Sequence, residues 1–354
     1  MDTDLGYSKH FFAKLPITNS SPIDKSYSIH SPAPGKRNPY NQALVRNQPL
    51  QPEGSMSSLS AAQEASDTQE LTKDGKRILS QLDRPAKFGR FTAETDDPAS
   101  IEDVLLRLKT NRLLEYNQPV YIAPMAKPNL QASDNCALPL LDKVGEFLAG
   151  NGQVMLILGD SGAGKSTFNR YLESILWTSY EIEGRIPLFI NLPALKQPDE
   201  DLVAKQLRTL GFSEEQIWDI KQHRQLLLIC DGYDESQLTV NLHTTNLFNR
   251  PGQWDVKLIV TCRTQYLGPD YRDRFAPKAT GHYHRSAYNI FQEAVIAPFS
   301  KEQIELYVEK FVPLIPRTWA KKDYMDKLTS IPNLMDLVRN PFLLTLALEA
   351  LPSV

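Results

Sequence analysis

Long apolar segments are missing from this sequence, and cysteine is scarce. No run approaches the roughly 20 apolar residues that a helix needs to cross a bilayer, and the N-terminus lacks the apolar core of a secretory signal. The three cysteines, Cys136, Cys230 and Cys262, are too few and too widely spaced for a disulfide framework or a set of zinc ligands. We therefore expect a soluble cytoplasmic protein.

An excess of positive charge is missing as well. The 39 Lys and Arg residues stand against 42 Asp and Glu residues, which gives a formal net charge of −3. This balance favours neither nucleic acid nor a membrane surface as a partner. Hydrophobic residues make up 41% of the 354 residues, enough for the core of one large or two medium domains.

The first part of the chain has no sustained hydrophobic period. Residues 1–95 are rich in Ser, Pro, Asn and Gln, a composition that favours a disordered tail, either plain or carrying a short interaction motif. Folded structure is expected to begin near Ser100, which forms a helix start signal with Asp103. Residues 96–134 are predicted to form a helix followed by a linker.

A glycine-rich loop follows the strongest strand pattern. The apolar run 154–158 leads into the pattern G-x-x-x-x-G-K-[ST], called Walker A or the P-loop. Its glycines let backbone N–H groups surround a phosphate. Lys165 would face the β- and γ-phosphates, and Ser166 can ligate Mg²⁺. The alternative is a glycine-rich turn without a ligand. The residues predicted to bind nucleotide here are Gly159, Asp160, Ser161, Gly162, Ala163, Gly164, Lys165, Ser166 and Thr167.

An acidic turn ends a second apolar strand pattern. Residues 225–230 run into Asp231-Gly232-Tyr233-Asp234-Glu235, called Walker B. Asp231 is predicted to hold Mg²⁺ together with Ser166. Asp234 and Glu235 are both candidates for activating the attacking water, and the sequence leaves the choice between them open. A plain surface turn is the alternative reading of this segment.

The order of the strands narrows the class of P-loop protein to which the chain is compared. Strand patterns at 186–190 and 256–262 alternate with helical patterns, which predicts a parallel sheet with helices on both faces. The 186–190 strand is predicted to separate the P-loop strand from the acid-bearing one, a topology typical of P-loop proteins with an added catalytic glutamate. No Asn-Lys-x-Asp motif for guanine is present. Arg263, after the fourth strand, either reaches the γ-phosphate or is a surface charge.

Together these motifs resemble the NACHT domain, the nucleotide-binding module of NLR-like proteins in the STAND class of signalling ATPases. The likeness rests on the glycine loop, the strand 186–192, the D-G-x-D-E ending and the run 261–263. Residues 299–304 are similar to the start of the first helix beyond the NACHT core. Residues 340–344, Asn-Pro-Phe-Leu-Leu, resemble the lid segment whose proline lies against adenine. Pro341 could equally serve only as a helix starter.

The resemblance implies an α/β fold, a parallel-sheet P-loop NTPase of the additional-strand, catalytic-glutamate type followed by the start of an α-helical lid. The nucleotide-binding domain would span residues 135–297, and the lid segment residues 298–354. The cofactors would be ATP and Mg²⁺, and the catalytic group would be Lys165, Asp234, Glu235 and Arg263.

The function implied is a signalling switch with slow ATP hydrolysis and nucleotide-controlled self-association, its partners being further copies or other signalling proteins. The alternative is a turnover ATPase acting on a macromolecule, which would need a basic groove or a stacking platform. NACHT proteins usually continue into a winged helix with a nucleotide-contacting histidine and then into repeats. The likeness runs to Val354, so we expect a shortened or split member without those repeats.

A basic loop is the remaining feature of note. Residues 271–285 hold several Arg and Lys residues with His282 and His284. Two histidines without nearby cysteines or paired acids are a weak metal signal. We expect a solvated loop, with contact to a phosphate of a neighbouring subunit as the alternative.

Overall fold

The computed structural model describes residues 99–236, 238–278, 288–315 and 319–353. The predicted tail at 1–95 therefore lies outside the described residues, as do His282, His284 and Arg285 of the basic loop. None of the helices in the described ranges is both long and apolar enough to cross a membrane.

Seven strands form one sheet in the spatial order β2-β1-β7-β3-β6-β5-β4. The five strands from β7 to β4 pair in parallel, and β1 pairs antiparallel with both β2 and β7. The strands are β1 (Met125–Lys127), β2 (Leu138–Pro139), β3 (Val154–Gly159), β4 (Ile186–Asn191), β5 (Gln225–Asp231), β6 (Asp255–Arg263) and β7 (Phe291–Ile296).

The sheet confirms the predicted α/β class and corrects two details. The strand that separates the P-loop strand β3 from the acid-bearing β5 in the sheet is β6, whereas β4 lies at the edge. Chain order therefore misplaced the inserted strand. The prediction also lacked β7, whose first three residues, Phe291–Glu293, are only partly buried. The polar residues Gln292 and Glu293 separate Phe291 from the apolar residues Ala294–Ile296 and interrupt the strand pattern.

Helices connect and follow these strands. They are α1 (Ile101–Glu115), α2 (Leu140–Ala149), α3 (Lys165–Thr178), α4 (Leu202–Thr209), α5 (Glu214–His223), α6 (Leu242–Thr245), α7 (Tyr271–Phe275), α8 (Lys301–Phe311), α9 (Lys321–Ser330), α10 (Leu334–Leu337) and α11 (Pro341–Ala350). Helix α2 begins at Leu140 because the two residues before it, Leu138 and Pro139, pair with β1 as strand β2. The basic loop expected from Tyr271 opens with the short helix α7.

Local start signals explain where several helices begin. The side chains of Ser100, Ser213 and Ser300 each accept a hydrogen bond from the backbone N–H three residues later. In each case the third residue bonds back to the serine N–H, so two otherwise unpaired donors are satisfied at once. The first of these, at Ser100, is the start signal predicted from the sequence.

The core is divided among three buried clusters. Alternate residues of β3 enter two different clusters, with Leu156 in one and Ile157 in the other, as expected of a strand covered on both faces. Helices α8, α9 and α11 bury their apolar residues in a third cluster, which also takes in Ile122 from the segment before β1. The helices after the sheet therefore share a core of their own.

Candidate functional site

The glycine-rich loop turns sharply between β3 and α3. Gly162 and Gly164 have φ angles of +76° and +91°, values that L-residues with a side chain rarely adopt. A Cβ added to Gly162 would lie 2.7 Å from atoms of Asn340 and Phe342, so this glycine also permits a close approach of the last helix. At Gly164 no atom lies within 4 Å of such a Cβ, and the requirement there is one of backbone angle alone.

Lys165 is held by the loop itself. Its Nζ donates hydrogen bonds to the carbonyls of Gly159, at 2.8 Å, and Asp160, at 2.9 Å. Burial is the main cause that lowers the pKa of Lys165, while the carboxylates of Asp234 and Asp231 act to raise it. The predicted cation and the predicted acids therefore occupy one electrostatic neighbourhood. No acidic residue stands in the first turn of α3, whose positive end faces the same loop.

Asp231, at the end of β5, is bonded directly to the P-loop helix. Its Oδ1 accepts a hydrogen bond from Asn169 Nδ2 of α3 at 2.8 Å and a second from Thr261 Oγ1 of β6 at 2.7 Å. Asn169 lies one helical turn after Ser166. The structure thus brings the two halves of the predicted site to the same end of the sheet.

The two candidate bases differ in their surroundings. The side chain of Asp234 is 6% exposed, and each of its oxygens contacts Arg263. Oδ1 accepts a hydrogen bond from the backbone N–H of Arg263 at 2.9 Å, and Oδ2 lies 3.0 Å from Nε of its guanidinium. Glu235 is 52% exposed and also contacts the Arg263 guanidinium, through Nη2. Asp234 therefore anchors the arginine, while the Glu235 carboxylate faces solvent.

The tip of β6 lies beside the loop. Arg263 is in register with Gly159 of β3, and the hydroxyl of the next residue, Thr264, donates to the carboxylate of Asp160. Arg263 thus lies beside the glycine-rich loop, where its guanidinium is paired with Asp234 and Glu235.

The start of α11 rests on the loop. Asn340 Nδ2 donates to the Ser161 carbonyl at 2.8 Å, and the Phe342 N–H donates to the Gly162 carbonyl at 3.3 Å. Asn340 Oδ1 also accepts from the N–H groups of Phe342 and Leu343, which caps the helix. Pro341 occupies the first helical position, where its missing N–H costs nothing. It lies between two residues that contact the loop.

The donor set fits a triphosphate with a hard divalent cation. Ser166 is exposed and can offer its hydroxyl, and Asp231 supplies a carboxylate whose Oδ1 is already satisfied. Among the described residues no group of three His, Cys, Asp or Glu side chains could hold a metal alone. Mg²⁺ is typically held by one or two carboxylates together with substrate phosphates and waters, which is the kind of site present here.

Three polar residues of the site, Asn169, Thr261 and Asn340, received no role from the sequence. Asn169 lies three residues after Ser166 on the P-loop helix, and Thr261 lies two residues before Arg263 on β6, so the helical and strand periods each place them beside a predicted residue. Asn340 lies in the lid-like segment 340–344, in which only Pro341 was assigned a role. Only the folded structure shows that all three make hydrogen bonds to the loop or to Asp231.

This sheet, with a phosphate loop after its central strand β3 and an acid after β5, two strands away in the sheet, defines a P-loop NTPase. Residues 153–314 match the family model of the NACHT domain. Such a domain implies nucleotide binding and hydrolysis.

Two solved structures are similar to this chain at low identity. The crystal structure of the FIGL-1 AAA domain in complex with ADP aligns at 13% identity and a TM-score of 0.33, over 67% of this chain and 75% of that one. A Walker-type ATPase of Pyrococcus abyssi aligns at 13% identity and a TM-score of 0.35, over 60% of this chain and 66% of that one. No curated protein matches the sequence.

Proposed function

We propose that this chain is a signalling switch of the STAND, NLR-like type, which binds ATP and Mg²⁺ in the cytoplasm, hydrolyses ATP slowly and self-associates under nucleotide control. The observation that carries the proposal is the contact between the phosphate loop and the helices that follow the sheet. Asn340 and Phe342 bond the carbonyls of Ser161 and Gly162. A ligand that changes the loop therefore changes a contact of the helical segment 298–354.

The proposed chemistry divides among few groups. Lys165 and the loop N–H groups would bind the phosphates, and Ser166 with Asp231 would hold Mg²⁺. When bound, the cation would neutralise charge on the β- and γ-phosphates. Preference for adenine rests on the resemblance of the Pro341 segment.

Glu235 is the favoured base for the attacking water. Its carboxylate is half exposed, whereas both oxygens of Asp234 are used by Arg263. Arg263 can reach a γ-phosphate only if its guanidinium leaves Glu235. The same movement would free Glu235 to orient water, which links recognition of the triphosphate to its hydrolysis.

The energetics suit a switch. A ligand shifts a two-state protein only by the difference between its affinities for the two states. Contacts from Lys165 and Arg263 to the γ-phosphate would exist with ATP and be absent with ADP, which supplies such a difference.

Light scattering and phosphate release on the full chain test this proposal. We expect larger assemblies with ATP and Mg²⁺ than with ADP, and slow phosphate release. Lys165→Ala should abolish both effects, while Lys322→Ala, at an exposed position on α9, should behave as wild type. Rapid phosphate release without assembly would contradict the switch and favour the turnover ATPase. Equal nucleotide binding by wild type and Lys165→Ala would contradict the assigned pocket.

A further inference from the structure

A buried amide, that of Asn169, lies between the P-loop helix α3 and the acid-bearing strand β5. Asn169 is 0% exposed on α3, and its Nδ2 donates to Asp231. Its Oδ1 is buried and has no hydrogen-bond partner among the described residues. Buried polar atoms are nearly always paired, so an orphan carbonyl beside a candidate cation site indicates a donor that arrives with the ligand.

A second buried group, on a different element, donates to the same carboxylate oxygen. Thr261 is 0% exposed on β6, and its hydroxyl donates to Asp231 Oδ1 while it accepts from the Gly232 N–H at 3.1 Å. Its proton is therefore directed to Asp231. Two donors from two elements thus engage Oδ1, and no hydrogen bond to Oδ2 is found in the described part of the chain.

The position of Asn169 on its helix relates it to the other predicted cation ligand. It follows Ser166 by three residues, and residues at this spacing lie on the same side of a helix. Asn169 therefore lies next to Ser166 along α3 and is hydrogen-bonded to Asp231 across the gap to β5. An amide in this place can serve both ligands.

We propose that Asn169 and Thr261 are positioning residues for the divalent cation, an inference that rests on the proposed function. They hold Oδ1 of Asp231, which would leave Oδ2 available to a cation. The carbonyl of Asn169 accepts a hydrogen bond from a water of the cation's shell, since Mg²⁺ in such sites keeps several waters. Groups that orient a ligand in this way commonly change metal affinity about 10- to 100-fold when removed.

The test measures how strongly Mg²⁺ assists nucleotide binding by the full chain. Affinity for a fluorescent ATP analogue is measured with Mg²⁺ and with EDTA, and the ratio of the two reports the cation alone. Asn169→Leu and Thr261→Val keep the volume and remove the polar group. Both should lower the ratio about 10-fold or more and leave the affinity in EDTA within about two-fold of wild type.

Two further variants separate positioning from folding. Thr261→Ser keeps the hydroxyl and should restore the wild-type ratio. Asn246→Leu removes another buried amide, which bonds Leu202 and Pro198 away from Asp231, and should lower the melting temperature without changing the ratio. If Asn169→Leu does not fold, the Val and Ser variants of Thr261 carry the test.

The inference is overturned if Asn169→Leu and Thr261→Val keep the wild-type ratio, or if both lose affinity equally in Mg²⁺ and in EDTA. Binding of Mn²⁺ in place of Mg²⁺, followed by electron paramagnetic resonance, gives a second readout, in which the wild-type spectrum should change in the same two variants. A wild-type chain that binds no nucleotide would instead refute the proposed function, so the two failures are distinguishable.

Discussion

The guanidinium of Arg263 lies 3.0 Å from the Asp234 carboxylate, measured from Nε to Oδ2, and the backbone N–H of Arg263 donates to the other oxygen of that carboxylate at 2.9 Å. This double contact fixes the turn after β5 to the end of β6. Each oxygen of the Asp234 carboxylate therefore has a partner in Arg263, whereas the side chain of the neighbouring Glu235 is half exposed. The sequence offers both acids as candidates for activating the attacking water. Their different contacts with Arg263 distinguish the two candidates.

Substitution of each acid should therefore give a different phenotype. We expect Glu235→Gln to slow phosphate release by about 10²- to 10⁴-fold while nucleotide binding persists, because only the base is lost. Asp234→Asn should instead lower the free energy of unfolding by about 1–2 kcal/mol, since a nearly buried acceptor of charged donors is weakened. Phosphate release and thermal unfolding distinguish them. Loss of turnover in Asp234→Asn with normal turnover in Glu235→Gln would reverse the assignment.

The contact of Asn340 with the loop should be separable from its role as a helix cap. Asn340→Asp keeps the oxygen that accepts from Phe342 and Leu343 but removes the donor to Ser161. We expect nearly unchanged stability and a loss of ATP-dependent assembly in light scattering. Asn340→Ala loses cap and contact together and should cost about 1 kcal/mol in addition. Normal assembly in Asn340→Asp would show that this hydrogen bond does not couple the loop to the helices.

A buried histidine predicts acid sensitivity. Burial, with a smaller contribution from Arg250, lowers the pKa of His243 from 6.5 to about 4. The unfolded chain therefore binds the proton more tightly, so stability is fully present above pH 6.5 and falls as the pH drops through 4. The loss should approach about 3 kcal/mol. Urea unfolding at pH 7, 6 and 5 measures it.

His243→Gln should flatten this pH dependence, whereas His223→Gln, at an exposed position on α5, should leave it as in wild type. An unchanged slope in His243→Gln would mean that other groups cause the acid sensitivity.

The three cysteines should react at very different rates. Cys136 is exposed, while Cys230 and Cys262 are buried on β5 and β6. Burial raises the pKa of Cys262 to about 12 and that of Cys230 further, so neither forms the reactive thiolate at neutral pH. A chromogenic disulfide should titrate one thiol in the native protein and three in denaturant. Fast reaction in Cys136→Ser would contradict the strand assignment.

The sequence predicts the centre of the fold well, for a physical reason. Strands such as β3 and β5 are buried on both faces, so they read as continuous apolar runs. Strand β7 does not read as a continuous apolar run, because it contains Glu293. The side chain of Glu293 is 5% exposed, and its charge is compensated by an ion pair with Arg272 at 2.8 Å. A partner in another part of the chain cannot be read from local pattern.

The site shows the same division between local and distant information. Walker A and the capping box at Ser100 depend only on residues close in sequence, so the sequence is sufficient to propose them. The arrangement around Asp231 depends on Asn169 and Thr261, 62 and 30 residues away along the chain. The position of β6 between β3 and β5 is likewise a matter of sheet order, which chain order does not set.

The central claim is that Ser166 and Asp231 hold one cation on one triphosphate, and a double-mutant cycle on Mg²⁺–ATP affinity tests it most directly. Calorimetry on wild type, Ser166→Ala, Asp231→Asn and the double variant should show one site in wild type. The losses should be non-additive by more than about 0.5 kcal/mol, because either change alone disrupts the same cation. Strictly additive losses, or affinities unaffected by both changes, would contradict the account.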